Sequence, residues 1–391
     1  MLKSTKKVNK IYLDYASSVF PNAGSIHKLG VEAKKKLESA RSKVAKVLNA
    51  RPIEIIFTSC GTESNNLAIQ GVVWAWYENQ KDKKVNLPHV ITTNIEHPSV
   101  LETCKILEKR KLIHLSVVPV LSNGMIDVQR IKKEIRKNTI LVSVMYANNE
   151  IGTIEPIREI AKMIRYYKKK NNIKNLFFHT DAVQAVNYLD LNVERLGVDL
   201  LSLSSAKIED AGRIGVLYKR VSVSFSNIWG GGNQENGLRP GTENVDEIFK
   251  FSEALEFTEK IKEKEVKRLN SLRNYFINKL QHSHILKDVG MLVNGSLENR
   301  LPNNINITIP NIPSDLLVIE LSERGISVSS KSACKMNDGK ASHVIKAVNK
   351  NIKDVDGSLR FSFGRDTNKR DIIYTFKSLS EILIKLKKWY Y

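Results

Sequence analysis

Thr139-Ile140-Leu141-Val142-Ser143-Val144-Met145-Tyr146 is an almost unbroken apolar run. A strand wet on one face would alternate polar and apolar residues, so this run suits a strand covered on both faces. Working outward, a helical pattern follows near residues 157–167, then the strand-like stretch Asn175-Leu176-Phe177-Phe178-His179 and a second, Asp199-Leu200-Leu201-Ser202-Leu203-Ser204. Upstream, Glu54-Ile55-Ile56-Phe57-Thr58 reads as a short strand before a helix from Thr62 to about Trp76. His89-Val90-Ile91-Thr92-Thr93 precedes a helix from Pro98 to about Lys109, and proline suits a first helical turn. Strands alternating with helices predict an α/β fold whose mostly parallel sheet is covered by helices. Ligands in such sheets sit at the carboxyl ends of the strands.

A charged helical stretch from about Val245 to Gln281 reads as a connector. Beyond it the pattern becomes a smaller α+β unit, with strands expected near 305–309, 326–329 and 358–363. Its last helix carries Ile373, Phe376, Leu379, Ile382 and Leu386 as an apolar stripe at helical spacing. A chain of 391 residues and 44.3 kDa favours two domains. They are read as a large domain, 12–250, and a small C-terminal domain, 251–391, with residues 1–11 packing on the latter.

No apolar run approaches the roughly eighteen residues of a membrane span, and the basic start lacks the apolar core of a signal peptide. Cys60, Cys104 and Cys334 have spacings that form neither a disulfide framework nor a zinc site. The chain reads as cytoplasmic, with no membrane partner. Its net charge of +21 could draw RNA or an acidic protein. The lysines are scattered along the chain, however, and a nucleic-acid site needs a concentrated face, so direct nucleic-acid binding is not expected.

Several residues fall where ligands would bind. Gly61 and Thr62 open a helix after a strand, which suits either a phosphate or a plain cap. His97 sits between a strand and a helix, as a cap or as a catalyst. Asp181 follows a buried strand and needs a partner there, a pyridinium N–H or an ordinary lysine or backbone group. Gln184 lies one turn on. Lys207 ends an apolar run and must be charge-paired, exposed or covalently occupied; such a lysine can hold an aldehyde cofactor as a Schiff base. Cys334 stands in the small-residue segment Ser329-Ser330-Lys331-Ser332-Ala333-Cys334, where a thiolate could take an atom from a substrate. Cys60 and Cys104, in or beside helical segments, read as structural. The glycine-rich segment from Gly230 to Thr242 is a ligand or subunit-boundary loop, or a plain surface loop.

Taken in order, these segments resemble the cysteine desulfurases of the NifS/IscS type, within the class V aminotransferases that use pyridoxal 5'-phosphate. The most specific matches are 57–66, Glu96-His97-Pro98-Ser99-Val100, Asn148-Asn149-Glu150-Ile151-Gly152, His179-Thr180-Asp181-Ala182-Val183-Gln184, 230–244 and 329–334. The likeness runs from Ile11 to Arg365, nearly the whole chain. It implies a fold-type I transferase with a seven-stranded sheet, acting as a homodimer on L-cysteine. Lys207 resembles the Schiff-base lysine, Asp181 the partner of the pyridine nitrogen, His97 the ring-stacking proton shuttle and Gln184 the partner of the ring oxygen. Gly61, Thr62 and Ser204 resemble phosphate contacts, joined by Thr242 from the other subunit. Asn149 and Arg360 resemble substrate-carboxylate contacts, with Asn149 also bordering the cofactor. Cys334 resembles the thiol that becomes a persulfide as alanine leaves, for iron–sulfur assembly or tRNA thiolation through a sulfur-acceptor protein. No metal is implied. Alternatives are a weakened homologue that scaffolds sulfur acceptors, or a selenocysteine lyase. The sequence departs from the family before the lysine, where Ala206 replaces the usual histidine. It departs again in the loop Ile208-Glu209-Asp210-Ala211-Gly212-Arg213, from which Arg213 could reach a phosphate or simply face solvent.

Overall fold

The computed structural model describes residues 11–80, 86–330, 342–349 and 357–391. Its larger sheet has seven strands: β1 (Ile55–Thr58), β2 (His89–Thr93), β3 (His114–Val118), β4 (Thr139–Ser143), β5 (Phe177–Asp181), β6 (Leu200–Ser204) and β7 (Gly215–Lys219). Their spatial order is β1-β7-β6-β5-β4-β2-β3. The pairs β3/β2, β2/β4, β4/β5 and β5/β6 are parallel, and β7 runs antiparallel to both neighbours. The expected α/β architecture, mostly parallel and helix-covered, is the one found.

Each inner strand is buried on both sides. Ile56, Val90, Leu141, Phe177, Leu200 and Leu217 face one apolar cluster, while Phe57, Ile91, Val142, Phe178, Leu201 and Val216 face another. Successive side chains of a strand point to opposite faces, so a run with no polar alternation fills both layers. On the first face lie α2 (Gly61–Glu78) and α3 (Pro98–Lys109); the second is covered by α1 (Lys28–Leu48) and α5 (Ile157–Asn171), with the short α4 (Val128–Glu134) and α6 (Val193–Leu196) at its margins. The run that continued to Tyr146 leaves the ladder at Ser143, yet the Val144 and Tyr146 N–H groups still donate to the carbonyls of His179 (3.1 Å) and Asp181 (2.8 Å).

The connector is α7 (Val245–Gln281), a single helix of 37 residues. Its Ile248, Phe251 and Leu255 join the large core, while Leu269, Phe276, Ile277 and Leu280 join a second one. That second core lies between α7, α8 (His284–Asp288), α9 (Ser314–Ser322), α11 (Lys369–Tyr390) and a three-stranded antiparallel sheet of β8 (Leu292–Val293), β9 (Asn304–Thr308) and β10 (Ser358–Ser362). Helix α10 (His343–Val348) returns Val344, Ile345 and Val348 to the large core. The stretch expected as a strand near 326–329 makes only a bridge, from Ser329 to Arg360. Among the described residues no helix is long and apolar enough to cross a membrane. The expected packing of the N-terminal segment concerns residues that, except for Ile11, lie outside those described.

Candidate active site

Asp181 is the last residue of β5, and Ser204 the last of β6, followed by a 3-10 turn at Ser205–Lys207. The parallel pairing of β5 with β6 therefore brings Asp181 and Lys207 to the same sheet edge. Asp181 is buried, with 5% of its surface exposed. Its Oδ2 accepts from Asn65 Nδ2 at 2.7 Å and its Oδ1 from the Val183 N–H at 3.0 Å. Among the described residues no cation pairs with it. A buried carboxylate held only by neutral donors can still take a cationic partner.

His97 caps α3. Its Nδ1 accepts from the Ser99 N–H at 3.2 Å and lies 2.7 Å from Ser99 Oγ. With Nδ1 accepting, the neutral ring carries its proton on Nε2. Burial lowers the His97 pKa, the Asp181 charge opposes that shift, and Lys207 adds to it. Asn65 ties these groups together, donating to both Asp181 and Ser99.

Gly61 begins α2, whose first turn leaves N–H groups free for an acceptor. A Cβ at Gly61 would stand 2.9 Å from Val183 Cγ2 and 3.2 Å from Ser204 Cβ, so a larger residue would crowd the place where the helix meets β6. Arg360 reaches the same space from β10. Its Nη1 donates to the Asn149 carbonyl (3.0 Å) and its Nη2 to Ser329 Oγ (3.3 Å), while its buried Nε has no partner. Burial lowers the Arg360 pKa, and nearby Glu150 opposes the shift.

These groups line one cavity of about 500 Å³. Nine residues singled out from the sequence border it: Gly61, Thr62, His97, Asn149, Asp181, Gln184, Ser204, Lys207 and Arg360. Two do not. Thr242 is exposed on the glycine-rich loop, away from the cavity of its own chain. Cys334 lies outside the described residues. Arg213 is exposed, its N–H bonded to Glu247, and it does not border the cavity.

Other lining residues were not anticipated. Asn65 stands one turn after Gly61 on α2, so helical spacing could have marked it. Met145 and Asn303 come from loops, and Asn304 opens β9, with no such signal. Cys60, read as structural, is exposed and borders the cavity, because it caps the helix that Gly61 opens; Cys104 is buried, and burial pushes its thiol pKa up. Behind His97, buried Glu96 accepts from Thr93 Oγ1 (2.7 Å) and the Met145 N–H (3.0 Å), and burial pushes its pKa up to about 8.

The aminotransferase class-V family model matches residues 3–374. A protein named cysteine desulfurase IscS from Dictyoglomus turgidum is 41% identical, covering 97% of this chain and 95% of its own. Another of that name, from Methanosarcina thermophila, is 38% identical over 98% of this chain and 90% of its own. A solved structure titled NifS-like protein superposes with a TM-score of 0.82 at 34% identity, covering 93% of this chain and 92% of that one. The chain belongs to the NifS/IscS-type cysteine desulfurases of the class-V aminotransferase family, which depend on pyridoxal 5'-phosphate.

Proposed function

We propose that the cavity removes sulfur from L-cysteine, leaving L-alanine and a persulfide on Cys334. The observation that carries this reading is the meeting of Asp181, Lys207 and Arg360 in one cavity, from β5, the turn after β6 and β10. The cavity suits pyridoxal phosphate on its own terms. A buried carboxylate lacking a cation, Asp181, matches a pyridinium N–H. Lys207, with no ion pair among the described residues, matches the aldehyde. The α2 N-terminus with Thr62 and Ser204 matches the phosphate. Gln184 would bond the ring oxygen, His97 would cover the ring face, and Thr242 of a second copy would complete the phosphate contacts in a homodimer.

When bound, the cofactor supplies an electron sink for the substrate's α-carbon. The remaining work falls to the chain. Arg360 holds the cysteine carboxylate beside Asn149, its unpartnered Nε giving it a donor to spare. Lys207 Nζ and His97 Nε2 carry protons to and from the substrate carbon and its leaving group. Cys334 Sγ, as the thiolate, attacks the substrate sulfur and breaks its bond to the β-carbon. The electron pair of that bond stays with the carbon fragment, which is protonated to alanine. The outer persulfide sulfur then passes to an acceptor protein, for iron–sulfur assembly or tRNA thiolation in the cytoplasm.

The test treats purified protein with L-cysteine and follows alanine release, the visible band of bound cofactor and the mass of each cysteine peptide. Lys207→Ala is expected to lose the band and alanine release together. Cys334→Ala is expected to keep the band and lose the persulfide. A persulfide on Cys60 in the wild type, with Cys334 unmodified, would overturn the assignment of the acceptor thiol.

A further inference from the structure

Lys207 borders a second cavity, of about 400 Å³, whose lining does not include His97. The two cavities share Gln184, Ala206, Lys207 and Asn303 and otherwise have different walls. The second is closed by the middle of α7, through Thr258, Lys262 and Glu265, and by the segment after β10, through Arg365 and Asp366. At position 206 the shared wall is an alanine.

The charges on this wall balance. Lys207, Lys262 and Arg365 are cationic, while Glu209, Glu265 and Asp366 are anionic. Most are already used. Lys262 is held by Glu259 and the Leu189 carbonyl, and Glu265 by both Arg268 Nε and Nη2 (2.9 and 2.7 Å). Arg365 pairs with Glu209 at 3.2 Å through Nη1, donates from Nη2 to Thr258 Oγ1 at 3.4 Å and lies over the Phe257 ring, which leaves some of its five guanidinium donors. Asp366 has no ion pair within 4.0 Å among the described residues, its charge acting at longer range on Arg268. A wall with spare donors at Arg365 and a spare carboxylate at Asp366 selects a ligand with both signs of charge. Such a lining does not suit a phosphate, which Asp366 would repel, or an apolar molecule.

We propose that this cavity is a second binding site for a small amino-acid zwitterion, its carboxylate on Arg365 and its ammonium on Asp366, next to the reaction cavity across Ala206. The proposal rests on the amino-acid reading of the first cavity. Its ligand is the arriving substrate or the departing product, which share this chemistry.

Equilibrium dialysis of the holoenzyme with labelled L-alanine tests it. Two sites per chain are expected in the wild type. Asp366→Asn, at an exposed position with no ion-pair partner, is expected to weaken one of them at least tenfold, and Arg365→Gln to weaken the same one. Arg360→Gln should remove the other and leave this one unchanged. Propionate, which lacks the ammonium, is expected to bind the second site at least tenfold more weakly. S-methyl-L-cysteine as a second ligand separates the sources. Tighter binding than alanine marks an entry chamber, weaker binding an exit chamber, and either supports the site. A single alanine site that vanishes in Arg360→Gln and ignores Asp366→Asn overturns it, as does propionate binding as well as alanine. Alanine release from L-cysteine is measured separately. Two alanine sites without that turnover would sink the desulfurase reading and leave this one standing.

Discussion

The ends of β5 and β6 and the loop at 230–244 both carry groups assigned to the cofactor, and they are built on opposite terms. At the strand ends Asp181 and Ser204 are buried, and Asp181 is held from within by Asn65 and Val183. The loop is fastened just as firmly, but its ligand residue faces out. Glu235, 5% exposed, takes both Arg41 Nη1 and Nη2 (2.7 and 2.8 Å) and the Phe57 N–H (2.8 Å). Arg239 pairs with Glu63 of α2 at 2.7 Å. Glu235 and its neighbour Asn236 are both left-handed, with φ of 47° and 57°, a conformation that costs roughly 1–2 kcal/mol per residue. A loop kept in so costly a shape by a buried fork is not a plain surface loop. The contrast is that the strand ends build a cavity within one chain, whereas the loop holds Thr242 outward, where the proposed homodimer would use it.

The largest effect should come from cutting that scaffolding. Glu235→Ala leaves buried Arg41 with only the half-exposed Glu38 carboxylate at 3.3 Å, and breaking a buried pair this way costs about 3–5 kcal/mol. Urea unfolding reads it directly. A loss under about 1 kcal/mol, the scale of an exposed pair, would mean the fork does not hold the loop.

A smaller effect separates the strand-end side. Burial raises Glu96 and Glu155 to about 8 each. A carboxyl raised in the folded state keeps a proton that the unfolded chain releases, so its stabilising contribution is complete below the ordinary carboxylate range. That contribution is lost as pH rises towards 8. The urea midpoint should therefore fall between pH 5 and 8, and Glu96→Gln should flatten part of that fall, leaving the Glu155 share. An unchanged slope in Glu96→Gln would show that this carboxyl is ionised in the fold.

Smallest is Thr242→Ala. Loss of one hydrogen bond worth about 0.5–1.5 kcal/mol weakens cofactor binding roughly two- to tenfold. Because Thr242 is exposed, the urea midpoint of the apo-protein should stay put. Unaltered cofactor affinity would break the comparison, since the loop would then present nothing.

What was legible in the sequence follows from how local each signal is. His89–Thr93, Pro98–Lys109 and Val245–Gln281 are found at the bounds read for them, because apolar runs, a proline at entry and sustained helical periodicity are all local. The edge strand β3 escaped notice because its side chains are half wet and its composition mixed. Strand β7 went unread because its apolar run is short and follows the atypical loop after Lys207. Helix α1 shows Leu37, Arg41, Val44 and Leu48 at helical spacing, and a charged residue on its buried face hides the stripe. Its buried carboxylate partner, Glu235, stands nearly two hundred residues away. The cavity's strand-end residues were marked by position, while Asn303 and Asn304 depend on how the second core docks.

Helix α7 contains neither glycine nor proline from Val245 to Gln281. At 1.5 Å per residue it is a beam roughly 55 Å long, and sharp bends in helices need one of those residues or a local defect. One end is cast into the large core and the other into the small one. Melting either half would strip the beam of the packing that keeps it straight, so both halves should unfold in one transition. Calorimetry should show a single endotherm, and the middle amides of the beam should exchange their hydrogens only at the cost of global opening.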